Sequence, residues 1–327
     1  MSKKLSVILI LIVMFLWGSL YPVLKVGNNV YHVQGVASSL LFAGIRFSIS
    51  GAGLLIFAFI TRKKATLLTI KESGVQVVMV GVFAIILHYG FLYVGLQTAQ
   101  PTMTSILKQV GSLFFVCFSW MFFKDEKFSI KKLVGVLLGF VGVAVTSVSD
   151  SGFSFKIGDL LTVFASFFLV FSDIISKKIA PKSDPVAVTA GSQFIGGVVL
   201  LVAGFVMGGK VYIGFNLDLW VIIYICFASV FSYTLWYTIM RKGNLSNLLI
   251  IRFSVPIFSS ILSCLLLREN IFQWQYAVSF VLICLGIYIS NLKSKKKTEK
   301  AEIESAEIAQ TKVEQTEIES AEIKQAK

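Results

Sequence analysis

The sequence predicts an all-α membrane protein with ten transmembrane helices arranged as two inverted five-helix repeats. Hydrophobic residues make up 56% of the 327 residues and charged residues only 14%, which is too little polar surface for a water-soluble domain of this length. Apolar runs of about 20 residues recur along the chain, and a helix of that length spans a bilayer. Basic residues are concentrated in alternate connections between these runs.

The apolar runs are interpreted as helices rather than barrel strands because they are long and lack a strict alternation of polar and apolar residues. The predicted spans are 5–24, 37–60, 74–95, 102–123, 130–149, 158–176, 186–207, 217–240, 246–267 and 272–291. The connections between them are short. The sequence therefore leaves no room for a soluble catalytic domain outside the membrane.

Lys and Arg residues determine the predicted orientation, since cytoplasmic loops carry an excess of them. With the N-terminus inside, the predicted cytoplasmic segments hold twenty of these residues. The predicted external segments hold four, namely Lys25, Lys156, Lys210 and Arg268. This asymmetry predicts a multi-pass protein of the cell membrane, a bacterial inner membrane, with both termini in the cytoplasm. It also explains the net charge of +13 as a topology signal rather than a sign of nucleic-acid binding.

The chain divides into a first repeat at residues 1–149, a second repeat at 150–291 and a charged tail at 292–327. The tail is rich in Glu, Ala, Lys and Gln. Such a composition buries too little apolar surface to fold alone. We expect the tail to be mostly disordered, and the alternative is an interaction or regulatory segment.

The internal repeat is detected at an offset of 143 residues. LKQVGSLFFVCFSWMFFKDE (107–126) aligns with IIRFSVPIFSSILSCLLLRE (250–269), so that Glu126 matches Glu269, and Tyr93 aligns with Trp236. Because each repeat has an odd number of helices, the second copy would cross the membrane in the opposite sense. Inverted repeats of this kind are characteristic of secondary transporters.

Four short motifs occur along the chain, and their order is informative about the family. They are Trp17-Gly18-Ser19 followed by Lys25, then Gly44-Ile45-Arg46-Phe47, then Lys124-Asp125-Glu126 with its counterpart Arg268-Glu269, and Gly158-Asp159-Leu160-Leu161. Together they resemble the drug/metabolite transporter superfamily of the EamA type, over residues 5–291. The resemblance implies a ten-helix transporter. One departure is that this family usually has a proline midway in the fourth and ninth spans, whereas here Pro256 is present but Leu113 occupies the matching position.

Three cations are predicted well inside spans, where an ionisable side chain is costly and marks a candidate functional site. Lys108 in the fourth span and Arg252 in the ninth are nearly equivalent in the repeat alignment, and Arg46 lies in the second span. We expect Lys108 and Arg252 to line one cavity from opposite sides. Asp173 is the acidic candidate inside a span, near its cytoplasmic end. The predicted interior is therefore net positive, and an anionic group on a small-molecule substrate would neutralise it.

The plastid phosphate-sugar translocators resemble this superfamily, and their substrate's anionic group is held by a Lys in the fourth span and basic residues in the ninth. Lys108 and Arg252 look like those positions, although the flanking residues differ. Each cation also has a structural alternative. Arg46 could brace helices by donating to backbone carbonyls, Lys108 could extend to the outer interface, and Arg252 could serve packing alone.

Further residues are expected to line the cavity, namely His88, Tyr93, Gln109 and Trp236, with Trp17, Tyr21, Tyr89, Gln193 and Tyr237. Aromatic residues near span ends are equally expected as interfacial anchors. His88 could relay protons, because imidazole titrates near neutrality, or it could be a hydrogen-bonded packing residue. Pro22 and Pro256 are predicted hinges. The ring of Pro256 would displace the hydrogen bond to the carbonyl of Arg252 and free that carbonyl.

These patterns favour a carrier that moves a small metabolite by alternating access, either an amino acid or an organic or phosphorylated anion. Proton or ion coupling, or exchange, would supply the driving force, since the sequence has no G-x-x-x-x-G-K-[ST] motif. The alternative is an exporter of drugs or of neutral or cationic metabolites in which the intramembrane cations are structural. A lipid-linked or structural membrane role is a further class.

An enzyme is not expected. The two histidines, His32 and His88, cannot form an H-E-x-x-H zinc site, and Asp173 alone cannot form an aspartyl dyad. A channel is not expected either, because no filter sequence or ring of pore charges is visible. The sequence predicts no cofactor and no metal. The expected partners are a small-molecule substrate and the lipid bilayer, not nucleic acid, and the expected state is a monomer or a weak homodimer.

Overall fold

The computed structural model describes residues 3–123, 130–146, 148–149, 152–153, 156–214, 219–241, 245–268 and 274–291. The described part is almost entirely helical, which confirms the predicted helical class. The charged tail at 292–327 lies outside the described residues, as do Glu126 and Glu269 of the repeat alignment.

The helices of the first half are α1 (Lys3–Val30), α2 (Gly35–Thr61), α3 (Lys63–Val80), a π-helix (Gly81–Leu87), α4 (His88–Gly95), α5 (Pro101–Leu107), α6 (Gln109–Phe122) and α7 (Ile130–Thr146). Those of the second half are α8 (Ile157–Ile179), α9 (Pro185–Val206), α10 (Leu219–Met240), α11 (Leu245–Ile251), a 3₁₀ turn (Arg252–Ser254), α12 (Val255–Leu267) and α13 (Trp274–Asn291). Where the structure describes the predicted spans, they are helical apart from short interruptions, except that the fifth ends in the strand residues Val148–Ser149.

Six of these helical segments are long and apolar enough to cross a membrane by themselves. They are Ile8–Val30, Gly35–Thr61, Lys63–Gly95, Ile157–Ile179, Pro185–Val206 and Leu219–Met240. Large apolar side chains face outward from them, for example Ile60 and Val206, each 77% exposed. Such exposure would be costly in water and is favourable in lipid. The chain is therefore a multi-pass membrane protein.

Two local features differ from the predicted spans. Helix α3 begins at Lys63, eleven residues before the predicted start, and has a non-helical backbone at Ser73 (φ −138°, ψ 16°). Its first part is held because Thr66 and Thr69 are buried and the Thr69 hydroxyl accepts the backbone N–H of Asp184 at 2.8 Å. In addition, a two-residue antiparallel pair, Val148–Ser149 with Gly152–Phe153, lies between α7 and α8.

The interface between α2 and α9 depends on glycines. A Cβ atom added at Gly44 would overlap the backbone of Leu201, and one at Gly51 would overlap the backbone of Phe194. The reverse holds on α9, where Gly197 meets Phe47 and Ser48 and Gly204 meets Leu41. Residue numbers increase along one helix as they decrease along the other, so the two helices are antiparallel. Small residues permit this approach, and dispersion contacts between the two backbones then stabilise the pair.

Helix α1 is continuous through Pro22. Four residues earlier, Gly18 allows close contact with α12, because a Cβ at that position would overlap Phe258 and the carbonyl of Val255. Pro22 removes the N–H that would pair with the carbonyl of Gly18 in an ordinary helix. A hinge at Pro22 stays a prediction.

Candidate functional site

A cluster of buried aromatic side chains from three helices lies inside the bundle. We call Trp17 and Tyr21 of α1, Tyr89 of α4, and Tyr233 and Trp236 of α10 the aromatic cluster. The ring of Trp17 lies 5.0 Å from that of Trp236 and 5.8 Å from that of Tyr233. The Tyr233 hydroxyl donates to the Tyr89 hydroxyl at 3.3 Å. The aromatic cluster thus extends from Lys108 in the fourth predicted span to Arg252 in the ninth.

Lys108 lies at the turn between α5 and α6, where the fourth predicted span is interrupted. The interruption occurs without a proline. The Gly111 N–H, which would pair with Leu107 in a continuous helix, donates instead across to the hydroxyl of Ser166 in α8 at 2.9 Å. Glycine at this position lets α6 approach α8, because a Cβ would overlap the Ser166 carbonyl.

The ammonium group of Lys108 points toward buried rings. Its Nζ atom lies 5.4 Å from the ring centroid of Tyr21 and 5.9 Å from that of Tyr89. The side chain is half-buried, and within the described residues the ammonium has no hydrogen bond and no ion pair. Two cation–π contacts compensate only part of the loss of hydration. Lys108 therefore supplies a positive charge that a ligand could balance.

Arg252 lies at the corresponding interruption of the ninth predicted span, in the 3₁₀ turn between α11 and α12. Pro256 falls in the first turn of α12, where its missing N–H is tolerated. The prediction of a free Arg252 carbonyl was wrong, because the Val255 N–H donates to it. A 3₁₀ turn pairs each carbonyl with the residue three positions on and so bypasses the proline.

The guanidinium of Arg252 is held by three side chains. It lies over the rings of Trp17 and Trp236, 4.9 Å and 4.4 Å from their centroids. Its Nη1 donates to Oδ2 of Asp173 at 2.7 Å, and both side chains are at most 4% exposed. Trp236 Nε1 donates to the other carboxylate oxygen at 3.0 Å. Asp173 thus balances one of the three cations, which the sequence interpretation did not foresee.

Arg46 has its donors occupied. Its Nε and Nη2 donate to the Ser229 hydroxyl and its Nη1 to the Tyr93 hydroxyl at 2.9 Å. The rings of Phe47 and Tyr89 lie 4.5 Å and 5.2 Å from its guanidinium carbon. The side chain is completely buried. Arg46 links α2, α4 and α10, and its acceptors are hydroxyls rather than the backbone carbonyls considered above.

His88 begins α4 directly after the π-helix. Its Nδ1 lies 2.7 Å from the carbonyl of Ala165 in α8, and because a carbonyl can only accept, Nδ1 carries the proton. Nε2 is buried and has no hydrogen-bond partner within the described part of the chain. The ring packs 4.6 Å from that of Tyr89. This geometry agrees with a packing histidine whose tautomer is held by α8.

Gln109 follows Lys108 and is buried. Its Nε2 donates to the Ser105 carbonyl at 3.2 Å, and its Oε1 has no hydrogen-bond partner in the described ranges. Of the other predicted cavity residues, Tyr93 bonds Arg46 and Trp236 bonds Asp173. Sequence reasoning did not identify Ser229, because a serine in an apolar span carries no distinguishing signal.

The Trp17-Gly18-Ser19 motif supports this region from α1. Trp17 covers Arg252, Gly18 admits α12, and the Ser19 hydroxyl donates to the Leu16 carbonyl at 2.8 Å and bonds the Tyr224 hydroxyl of α10. Lys25, two turns further on, donates to the carbonyl of Leu96 at 2.9 Å. The motif therefore serves the packing of α1 against α10 and α12 as well as the site.

A separate groove of about 310 Å³ has an apolar lining: Leu40, Ile86, Gly90, Phe91, Val94, Leu161, Val199, Leu200 and Ala203. It has no charged residue to hold an anion. Among the described residues, no group of three or more His, Cys, Asp or Glu side chains is placed to bind a metal.

Comparison with known proteins agrees with this architecture. The EamA-like transporter family model matches residues 4–148 and again residues 156–292. The uncharacterized transporter YvbV of Bacillus subtilis is 27% identical over 92% of this chain and 96% of its own length. A probable amino-acid metabolite efflux pump of Escherichia coli is 26% identical over 89% and 95%.

A protein of known crystal structure shares the fold, with a TM-score of 0.65 at 18% identity, over 89% of this chain and 98% of that chain. The family match extends over both halves, and the relatives just named have the names of a transporter and an efflux pump. The family match confirms the resemblance seen in the motifs around Trp17, Arg46 and Asp159. The chain belongs to the EamA-like transporter family.

Proposed function

We propose that the protein is a secondary transporter that moves a small metabolite with an anionic group across the cell membrane by alternating access. Lys108 and Arg252 would contact that group. The other substrate-binding residues of the proposal are Arg46, His88, Tyr93, Gln109 and Trp236. The metabolite would be an amino acid or an organic or phosphorylated anion. The name of the Escherichia coli relative supports an amino-acid-related compound and export.

The single observation that supports the anionic group is the state of Lys108. A half-buried ammonium inside an apolar bundle loses hydration that two aromatic rings replace only in part. Within the described residues it has no carboxylate partner, although Asp173 is present and pairs with Arg252. A substrate carboxylate or phosphate would compensate this loss, and so Lys108 would bind an anion more strongly than a surface lysine would.

The proposal includes ten spans as two inverted five-helix repeats, with residues 1–149 and 150–291 as the units. The family model matches each half once, which supports the repeat. Glycines seven residues apart occur in both α2 and α9. The fourth and ninth spans are interrupted at Lys108 and Arg252, respectively, and discontinuous helices at the midplane are common at transporter substrate sites.

Cytoplasmic termini are proposed from the positive-inside rule. Contacts between connections are compatible with this orientation. Arg62, after α2, pairs with Asp184, before α9, at 2.9 Å, and both connections are predicted to be cytoplasmic. On the other side, the Tyr212 N–H donates to the Tyr31 carbonyl at 3.2 Å, and both of these connections are predicted to be external.

The second candidate is an exporter of neutral or cationic metabolites. It is favoured by the pairing of Arg252 with Asp173 and by the hydroxyl acceptors of Arg46, since both cations then have structural roles. The rings of the aromatic cluster could bind a cation or another ring directly. In this case Lys108 would not contact the substrate.

A thermal-shift screen separates the two candidates. Purified protein in detergent is tested with amino acids, organic acids, phosphorylated sugars and cationic drugs, and compared with Lys108→Ala and Arg252→Ala. Lys210→Ala is the matched control, because that lysine is exposed in a predicted external loop. A ligand that binds the native state raises its melting temperature.

If anions stabilise the wild type and the control but not the two variants, the anion-transporter proposal is supported. If only cationic or neutral compounds stabilise all four proteins equally, the exporter proposal replaces it. Uptake of the stabilising compound into proteoliposomes, saturable and inhibited by unlabelled compound, then tests transport itself and separates a carrier from a structural membrane protein.

A further inference from the structure

The Arg252 guanidinium presents an unused edge. Trp17 and Trp236 lie 4.9 Å and 4.4 Å from its guanidinium carbon and 5.0 Å from each other, so the two rings cover the same side of the group. Nη1 donates to Asp173, whereas Nε and Nη2 are buried and have no hydrogen-bond partner among the residues that the structure describes. These two adjacent donors form the fork that matches the two oxygens of a carboxylate. The two indoles and the Asp173 carboxylate contact the guanidinium and fix the orientation of this edge.

The three cations of the site differ in how their positive charges are compensated. Asp173 balances Arg252 at 2.7 Å, so the pair contributes hydrogen-bond donors without net charge. Arg46 is completely buried and bonded to Ser229 and Tyr93. Lys108 remains, within the described residues, as the partly accessible cation of the site without an acceptor. One accessible positive charge is therefore left to be balanced by a ligand.

We propose that Asp173 is a specificity-determining residue that makes the site select a monoanion. The ligand's single carboxylate would be neutralised by Lys108 and oriented by the Nε–Nη2 fork of Arg252. A dianion would bring a second negative charge close to the Asp173 carboxylate, and Arg46 could not bond it because its nitrogens already donate to Ser229 and Tyr93. Like charges in a poorly hydrated site repel strongly, so such a ligand would be rejected. This inference rests on the proposed anion-transport function.

Trp236 contacts both members of the Asp173–Arg252 ion pair. Its indole N–H holds the second oxygen of Asp173 at 3.0 Å while its ring covers Arg252 at 4.4 Å. One side chain therefore fixes both members of the ion pair. Replacing the carboxylate by an amide preserves the shape and an acceptor for Trp236, but it leaves Arg252 with an unbalanced charge. The Asp173→Asn variant should therefore accept a second negative charge.

The test measures the tryptophan fluorescence of the full-length protein in detergent, because Trp17 and Trp236 lie on Arg252. The probes are succinamate and succinate, which are nearly isosteric and carry one and two negative charges near neutral pH. Wild type is expected to bind succinamate at least about tenfold more tightly than succinate. In Asp173→Asn the affinity for succinate should rise about tenfold, so that the preference is lost or reversed. Asp173→Glu, which keeps the charge, should still prefer succinamate.

A melting temperature is recorded for each variant, and the double variant Asp173→Asn/Arg252→Gln covers the case in which Asp173→Asn does not fold. This double variant removes both charges and should prefer succinamate, with weaker binding. An unchanged preference in folded Asp173→Asn, a double variant that prefers succinate, or a wild type that binds neither probe would each overturn the proposal.

Proteoliposome flux distinguishes this inference from the function on which it rests. Selective binding of succinamate without flux of any tested anion contradicts transport but leaves the role of Asp173 standing. Flux of neutral or cationic compounds without binding of either probe contradicts the role of Asp173 and leaves a transporter.

Discussion

The α2–α9 interface and the site around Lys108, Arg252 and Asp173 are stabilised in different ways. The interface has glycines at Gly44 and Gly51 that bring two backbones together, and its stability comes from close packing. The site has buried charges, two interrupted helices and hydrogen-bond donors that find no acceptor among the described residues. Each of those features costs stability. The difference separates an interface that is stabilised by packing from a site whose unfavourable features are compatible with the binding role proposed for it.

The largest expected effect comes from breaking the buried ion pair. Asp173→Ala leaves the Arg252 guanidinium buried without a countercharge and should lower the free energy of unfolding by about 3–5 kcal/mol. Unfolding of the detergent-solubilised protein measures this loss. The double variant Asp173→Leu/Arg252→Leu should recover most of it, because no unpaired charge remains. If Asp173→Ala is as stable as wild type, the pair does not form.

The next effect tests the interface. Gly51→Ala places a methyl group in the backbone of Phe194 and should destabilise by about 1–3 kcal/mol, because neither helix backbone can move aside cheaply. Gly53→Ala is the matched control, since a Cβ there meets nothing within 4 Å, and it should gain up to about 1 kcal/mol from helix propensity. Equal effects of the two substitutions would contradict close packing of α2 on α9.

A substitution at Lys108 should change stability in the opposite direction to the two substitutions above. Lys108→Met removes a poorly hydrated charge from an apolar bundle and should leave stability unchanged or raise it by about 1 kcal/mol. The same substitution should abolish the stabilisation by anions in the thermal-shift screen. A loss of stability with ligand response intact would show that Lys108 is structural.

The smallest effect concerns the exposed ion pair between Arg62 and Asp184. Arg62 is 51% exposed, so Arg62→Ala should cost about 0.5 kcal/mol at low salt and less at high salt. The helix cap at α9 remains, because the other oxygen of Asp184 accepts the N–H groups of Val186 and Ala187. A loss comparable to that of Asp173→Ala would contradict the contrast between buried and exposed pairs.

Much of the helical framework was predictable from local sequence. Span length and hydropathy do not depend on distant residues, and the predicted starts of most spans agree with the structure within two or three residues. The early start of α3 was missed because Lys63–Ile70 is not apolar enough to resemble a span. The interruption at Lys108 was missed because no proline marks it, and the bond from Gly111 to Ser166 that accompanies it joins two different helices.

The sequence by itself determined the family and the helical membrane class, and it predicted three cations inside spans. These follow from composition, motif order and the cost of a charge in lipid, all of which are local properties. Only the tertiary structure decided that Asp173 pairs with Arg252, that Arg46 donates to hydroxyls and that Lys108 has no acceptor among the described residues. The physical reason is that a partner is chosen by which helix faces meet, and Asp173 and Arg252, 79 residues apart, are brought together only by the packing of the whole bundle.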